Sequence, residues 1–129
     1  MRPSELWAAY EEAFAARDWE RVRSHYADDV IAIDHRPLGF GELRGSDAML
    51  DYVRGFFELA SGAAPRLREV LGEHTHGFAA VIEALGGPDD GPVGLDYILV
   101  AEIRDDRATR LFFFPPEHRD EALRQFEAL

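Results

Sequence analysis

Two residues of the sequence could move a proton at an enclosed site. Asp34 directly follows the apolar run at residues 30–33, and a carboxylate at the mouth of an apolar cavity has a raised pKa because burial disfavours its charged form. Tyr10 lies among apolar residues at helical spacing, so its hydroxyl needs a hydrogen-bonding partner once it is buried. A carboxylate base and a phenol donor can remove a proton next to a carbonyl and stabilise the resulting oxyanion.

Both residues also have structural interpretations. Asp34 could accept hydrogen bonds from the amides of the following turn, and Tyr10 could be an ordinary core tyrosine. His35 and Arg36 are further candidates for contacting a substrate. Strand alternation places His35 on the face opposite Asp34, whereas Arg36 returns to the Asp34 side, where it could bind an anionic group or lie in a solvated turn. Spacing alone leaves these alternatives open.

Aromatic residues make up 12% of the chain and could line a cavity for a flat apolar ligand, although most could equally form the core. The candidates are Trp7, Phe14, Tyr26, Tyr52, Phe56, Phe57, Tyr97, Phe112 and Phe114. The run 112–114 is all phenylalanine, and alternation sends Phe113 to the opposite face from its neighbours, so both faces of that strand need cover. A homodimer packed sheet to sheet would supply it.

Signals for a metal or a cofactor are weak. His74 and His76 could ligate a metal together with Glu73, but a His-x-His pair near a turn is usually exposed. The chain has no cysteine, which excludes thiolate nucleophiles and cysteine-ligated zinc. We find no glycine-rich phosphate loop, serine nucleophile elbow or metalloprotease helix motif. We therefore expect neither a metal nor a cofactor.

Composition limits the classes of partner. With 129 residues the chain is long enough for one hydrophobic core, so a single domain over residues 1–129 is expected. A formal charge of −11 disfavours nucleic acids and anionic membranes. Every basic residue is arginine, which is typical of a GC-rich bacterial genome. No run is apolar enough for a signal core or a membrane span, so a cytoplasmic location is expected.

The spacing of apolar residues predicts the elements that position these side chains. A first helix begins at Pro3, and Asp18 caps a second, short helix. Residues 30–33 form a strand buried on both sides, and Ser46 caps a third helix after a shaped loop at 37–45. Gly62 ends that helix.

From residue 67 the apolar period changes to two. Strands are predicted at 67–71, 78–85, 93–103 and 109–114, with turns at 72–77, 86–92 and 105–107. A closing amphipathic helix follows residues 115–116. The order α-α-β-α-β-β-β-β-α, with a mostly antiparallel sheet, predicts an α+β fold.

This order, with the phrases at residues 15–19 (AARDW) and 26–30 (YADDV), resembles the SnoaL-like polyketide cyclases and ketosteroid isomerases of the nuclear-transport-factor-like superfamily over nearly the whole chain. The resemblance implies a cone-shaped, curved antiparallel sheet wrapped around the N-terminal helices. It also implies a homodimer. Superfamilies of this kind host many unrelated functions, so the fold is better specified than the activity.

The resemblance also assigns roles. In the isomerases a tyrosine lies eight residues before the aspartate that opens the second helix, and a catalytic aspartate ends the first strand; these positions are Tyr10 and Asp34 here. The position of a second, protonated acid falls on Leu99 or Val100, so the complete isomerase mechanism is not expected, and Leu99 is a candidate ligand contact. The Arg-x-Asp spacing of epoxide hydrolases in this superfamily recurs at residues 104–106, but in a turn.

Two functions follow as hypotheses. The first is an isomerase or cyclase for a small apolar or polycyclic carbonyl compound, with Asp34 removing a proton and Tyr10 stabilising the oxyanion. The second is a non-catalytic ligand-binding or dimerisation module, because residues 34–45 also resemble domains appended to larger bacterial regulators. They differ in whether Asp34 and Tyr10 meet at an accessible cavity.

Overall fold

A computed structural model describes residues 1–59, 63–85 and 95–129. The helices of these ranges are Pro3–Ala15 (α1), Trp19–Ser24 (α2), Ser46–Leu59 (α3) and Arg119–Glu127 (α4). The strands are Tyr26–Asp34 (β1), Glu42–Arg44 (β2), Ala64–His74 (β3), Gly77–Leu85 (β4), Leu95–Arg104 (β5) and Arg107–Phe114 (β6). The predicted α+β fold and its order of helices and long strands are confirmed.

The strands form one curved, open sheet in the order β2-β1-β6-β5-β4-β3. Strands β1 and β6 are parallel, and the other neighbouring pairs are antiparallel. Asp34 lies opposite Phe113, and Tyr26 lies opposite Ala108. The parallel pairing therefore joins the beginning of the sheet to its last strand and fixes both ends of β1.

The loop predicted at residues 37–45 contains β2, a short strand that the predicted order lacks. It pairs with β1, with Leu43 opposite Ala32. Leu38 and Gly41 turn the chain back with φ angles of 61° and 76°. A three-residue strand with one apolar side chain has no detectable period, which is why the sequence pattern did not indicate it.

Helices α1, α2 and α3 pack on the inner face of the sheet. Phe14 and Val22 are fully buried there, and the apolar stripe of α3 contributes Met49, Val53 and Phe57. The carboxylate of Asp18 accepts a hydrogen bond from the Arg21 amide, so the predicted cap of α2 is confirmed. Within the described ranges, none of the helices has both the length and the apolar character needed to cross a bilayer.

Helix α4 covers the outer face of the sheet. Phe112 and Phe114 point to this side and pack in one cluster with Ala122 of α4, while Phe113 points to the inner core. The two-sided character predicted for residues 112–114 is therefore observed. However, α4 of the same chain supplies the cover that the sequence had suggested would come from a second copy.

The β5–β6 turn is where the sequence predicted it. Asp105 and Asp106 have φ angles of 51° and 59°, as a two-residue hairpin of type I′ requires. The predicted turn at 86–92, the predicted end of α3 at Gly62 and the predicted start of β5 at Val93 lie outside the described residues.

A substitution at Phe114 tests whether α4 packs on the outer face of the sheet. Its side chain is 1% exposed, so Phe114→Ala should lower the free energy of unfolding by about 3–5 kcal/mol, because it leaves a cavity between the sheet and α4. Urea denaturation measures this. Leu38→Ala, at a fully exposed site, is the control and should change stability by less than about 0.5 kcal/mol. Equal effects of the two substitutions would contradict the packing described here.

Candidate functional site

An apolar cavity of about 80 Å³ lies between the inner face of the sheet and the helices. We call it the inner cavity. Helices α1 and α3 and strands β4, β5 and β6 supply its apolar walls. The lining residues are Pro3, Leu6, Trp7, Tyr10, His25, Tyr26, Met49, Val53, Phe57, Pro65, Phe78, Tyr97, Leu99, Ala101, Ile103, Asp106, Ala108, Leu111 and Phe113. A small apolar ligand matches such a surface.

The buried Tyr26 and the partly buried Tyr10 bring hydroxyl groups into this cavity. The hydroxyl oxygens of Tyr10 and Tyr26 are 2.6 Å apart, so one hydroxyl donates to the other. This bond uses one of the two hydroxyl protons, and the second remains able to donate to a ligand oxygen. Burial raises the pKa of Tyr10 and of Tyr26 well above the ordinary value, and both therefore stay protonated near neutral pH.

Aromatic contacts hold this pair in place. The ring of Tyr10 lies 5.0 Å from that of Trp7 and 5.5 Å from that of Phe14, measured between centroids. Tyr97 lines the same cavity, and burial together with the neighbouring Tyr10 raises its pKa too. The cavity thus presents neutral phenols as hydrogen-bond donors among apolar walls.

His25 also lines the inner cavity, and the sequence analysis had not singled it out. Its ring stands edge-on to Tyr10, with 5.8 Å between the centroids. Its backbone is fixed by hydrogen bonds to Val22 and from Ala108. Burial, helped by the charge of Arg21, lowers the pKa of His25, so the imidazole is neutral near pH 7 and can accept a proton. The signal that could have found it is its position three residues after the buried Val22, on the same helical face.

Asp34, the predicted base, is bonded on both carboxylate oxygens. Oδ1 accepts hydrogen bonds from Nε of Arg36 at 2.8 Å and from the Arg36 amide at 2.9 Å. Oδ2 accepts from Nη2 of Arg36 at 2.8 Å and from the Phe40 amide at 3.0 Å. Gly39 packs directly on this carboxylate, because a Cβ atom at position 39 would overlap it.

These bonds leave Asp34 poorly suited to accept a proton. Burial by itself would raise the pKa of Asp34, but the hydrogen bonds from Arg36 and Phe40 and the charge of Arg36 outweigh it and hold the pKa below the ordinary value. Of the residues that the structure describes, those lining the inner cavity do not include Asp34. The first hypothesis required Asp34 and Tyr10 to meet at one cavity, and Asp34 lines neither of the cavities described here.

A second cavity, of about 350 Å³, lies between α3 and the loop after β1. We call it the outer groove. Arg36 forms part of its wall, and the charged carbon of Arg36 lies 5.1 Å from the ring centroid of Tyr97 and 5.2 Å from that of Phe113. The other lining residues are Pro37, Leu38, Gly39, Tyr52, Val53, Phe56, Phe57 and Ala84. Aromatic walls around one cation favour a flat ligand with an acceptor oxygen.

The two cavities hold most of the predicted ligand contacts. The inner cavity contains Trp7, Tyr10, Tyr26, Tyr97 and Leu99, and the outer groove contains Arg36, Phe56 and again Tyr97. Val100, the alternative to Leu99, faces the opposite side of the sheet. The cavity wall therefore carries leucine where the resemblance suggested that an acid could stand.

Four predicted contacts lie elsewhere, each for a packing reason. Phe14 is wholly buried between Trp19 and Phe57 and lies behind the cavity wall. Phe112 and Phe114 point to the outer face of the sheet under α4, because alternate strand residues face opposite sides. His35 also lies on that side, stacked on Phe114 with 4.7 Å between centroids.

The histidines of the β3–β4 turn are engaged in structural contacts. His74 stacks on Phe126 of α4 and accepts a hydrogen bond from the His76 amide. Glu73 is paired with Arg2 and accepts from the Ser4 amide. Among the described residues, no three histidine or acidic side chains are grouped so that they could hold a metal ion.

Comparison with known proteins extends this description. Residues 7–111 match the family model of the SnoaL-like domain. A search of the curated proteins found no match. Among solved structures, a SnoaL-like protein of unknown function from Burkholderia thailandensis is similar, with 17% identity, a TM-score of 0.67, and 85% of this chain and 90% of that chain covered.

Two other solved structures carry functional descriptions. One is a provisionally assigned polyketide cyclase from Sinorhizobium meliloti, with 16% identity, a TM-score of 0.65, and 84% of this chain and 93% of that chain covered. The other is TerC, co-crystallised with polyporic acid, with 19% identity, a TM-score of 0.62, and 97% of each chain covered. At such identities the likeness establishes the fold alone.

Asp34 makes the stability of the fold depend on pH. Since its folded pKa lies below the value of an unfolded aspartate, about 3.9, the ionised carboxylate stabilises the fold fully above that value and loses this effect as the pH falls through the folded pKa. The wild type should therefore exceed Asp34→Asn in free energy of unfolding by a constant amount from pH 7 to about pH 5, and by less below about pH 4. Urea denaturation at each pH measures the difference.

The exposed Asp47, whose carboxylate pairs with Arg23 at the surface, provides the control. Asp47→Asn should change stability little at any of these pH values. A gap between wild type and Asp34→Asn that stays the same down to pH 3 would contradict the assignment.

Proposed function

The chain belongs to the SnoaL-like domain family, and on this premise we propose that it binds a small, largely apolar carbonyl compound in the inner cavity and acts on it as an isomerase or cyclase. The observation that carries the proposal is the hydrogen-bonded pair of hydroxyls of Tyr10 and Tyr26 in a largely apolar cavity. The hydroxyl proton that the pair does not use can form a hydrogen bond to a carbonyl oxygen, and this bond strengthens when the oxygen becomes negative.

Proton transfer in this cavity is best assigned to His25. In the proposed step, a ring nitrogen of His25 takes a proton from the carbon next to the carbonyl. The electron pair of the broken C–H bond forms a C=C bond, and the carbonyl π electrons move to the oxygen that the tyrosine pair holds. The substrate of this step is a β,γ-unsaturated ketone, so the enolate is a conjugated dienolate. The protonated imidazole returns its proton to the γ carbon, the electron pair on the oxygen re-forms the C=O bond, and the C=C bond moves to the α,β position, so the isomerisation needs no co-reactant.

This assignment replaces the role first expected for Asp34. The carboxylate of Asp34 already accepts four hydrogen bonds, two of them from the guanidinium of Arg36. Taking up a proton would break a charge-assisted pair, whereas His25 is neutral and lies at the cavity surface. Asp34 is instead proposed to hold Arg36.

The relatives support the class of ligand. A fold neighbour is described as a polyketide cyclase, and TerC was crystallised with polyporic acid. The apolar walls of the inner cavity and its phenol donors suit a compound of comparable character in this chain.

A non-catalytic ligand-binding module is the second candidate. The observation that favours it is the complete bonding of Asp34, which also fits a residue that only fixes the loop after β1. On this alternative the tyrosine pair binds the same carbonyl compound, but no proton is moved. Measurement of proton exchange on a bound ketone separates the two.

A homodimer through the sheet and a cytoplasmic location remain proposals. Since α4 already covers Phe112 and Phe114, a second copy would have to pack over or beside that helix.

Removal of one hydroxyl tests the binding site. Tyr10→Phe should weaken the binding of 2-acetylnaphthalene, a flat ketone, roughly three- to tenfold, because one hydrogen bond to the carbonyl is lost or misdirected. Titration calorimetry gives the dissociation constants. Ser24→Ala removes a hydroxyl that donates to the Arg21 carbonyl, outside both cavities, and should leave this affinity unchanged. Equal affinities for wild type and Tyr10→Phe would remove the tyrosine pair from the site.

Exchange of deuterium into 2-tetralone, followed by NMR in D₂O, tests the base. The wild type should exchange the protons next to the carbonyl faster than solvent alone, and His25→Gln should be slower by roughly a hundredfold or more. Because the pKa of His25 is lowered, the wild-type rate should hold at pH 7 and fall only below about 6.5.

Asp34→Asn is the matched comparison and should keep most of the exchange rate. Loss of exchange in Asp34→Asn but not in His25→Gln would return the role of base to Asp34. A wild-type rate equal to that of solvent would instead support the non-catalytic module.

A further inference from the structure

The outer groove has no part in the proton transfer described above. We propose that it is a second compartment of the ligand site, in which Arg36 binds a neutral carbonyl oxygen at the far end of an elongated, flat aromatic ligand. The inference rests on the proposed function, because the near end of the same ligand lies on the tyrosine pair of the inner cavity.

The guanidinium of Arg36 is held in advance of binding. Its Nε and Nη2 atoms donate to the two oxygens of Asp34 in a fork, both at 2.8 Å. The side chain is 20% exposed, and it lies against the rings of Tyr97 and Phe113. Little side-chain freedom is left to lose when a ligand binds.

Arg36 retains donors for that ligand. A guanidinium carries five N–H groups, and the hydrogen bonds of its side chain to Asp34 use Nε and one proton of Nη2. The Nη1 group and the second proton of Nη2 are not used by these bonds, and Arg36 lines the groove. An acceptor oxygen of a ligand in the groove would accept hydrogen bonds from these N–H groups.

The charge balance favours a neutral acceptor. Asp34 and Arg36 form a pair with no net charge, and the whole chain carries −11. The net negative charge of the chain would repel a strongly anionic ligand at long range, and the charge of Arg36 is already neutralised by Asp34. A ketone or quinone oxygen needs only the hydrogen bonds.

The two cavities share walls, which points to one ligand. Val53, Phe57, Tyr97 and Phe113 line both the inner cavity and the outer groove. The compartments are thus separated by a single layer of side chains, with hydroxyl donors on one side and guanidinium donors on the other. A flat ligand with one oxygen at each end would pass the partly exposed ring of Tyr97, which lines both compartments.

The test compares 2,6-diacetylnaphthalene, with a carbonyl at both ends, with 2-acetylnaphthalene, which lacks the second. The wild type should bind the diacetyl compound about tenfold more tightly, the value expected for one hydrogen bond from a charged donor. In the double variant Asp34→Asn, Arg36→Met, which removes the pair without leaving a buried charge, the two affinities should become equal. The matched control is Glu102→Gln, Arg110→Met, which removes an ion pair of β5 and β6 and should keep the tenfold preference.

A measurement on the wild type covers the case in which the double variant fails to fold. The guanidinium NMR signal of Arg36 should shift when the diacetyl compound is added and stay in place with the monoacetyl compound. Equal affinities in the wild type, a preference that survives loss of Arg36, or an unmoved Arg36 signal would each overturn the inference while leaving the inner site intact. Failure of both compounds to bind the wild type would overturn the proposed function itself.

Discussion

Buried polar groups need partners, and this constraint shapes both cavities. Each oxygen of the Asp34 carboxylate accepts two hydrogen bonds, so the ionised form is stabilised and poorly suited to accept a proton. The Tyr10–Tyr26 pair is satisfied but keeps one proton to give. The guanidinium of Arg36 is only partly used. Chemistry is possible where hydrogen bonding within the protein is incomplete, and the tyrosine pair and Arg36 both line cavities.

The sequence predicted the elements better than their contacts. Periods of 3.6 and 2 identified the helices and long strands, and the helical face of α1 correctly placed Tyr10 inside. The sequence could not predict that Arg36 pairs with Asp34, because the two hydrogen bonds from the guanidinium depend on a loop in which Leu38 has a φ of 61°. The sequence also could not predict that α4 packs on Phe112 and Phe114, since the alternation of apolar residues shows that a face is apolar but not which helix packs on it.

The sequence resemblance and the environment of the side chains point to different residues as the base. The sequence resemblance predicted Asp34 as the counterpart of the isomerase base, yet an arginine two residues later neutralises its charge. His25 has no counterpart in the family phrases quoted from the sequence, but it lies beside the tyrosine pair. A shared fold therefore does not by itself determine which group acts in its cavity.

The parallel pairing of β1 with β6 has a consequence for folding. The β3–β4 and β5–β6 hairpins join neighbouring segments. Strand β1 pairs locally only with the three-residue β2, and its other neighbour, β6, comes from the far end of the described chain. Closing so long a loop is entropically costly and slow compared with hairpin formation. Both ends of β1 contribute to the cavities, with Tyr26 at one and the Asp34–Arg36 pair at the other. An intermediate that has formed only its hairpins would therefore be rich in sheet and yet lack a binding site.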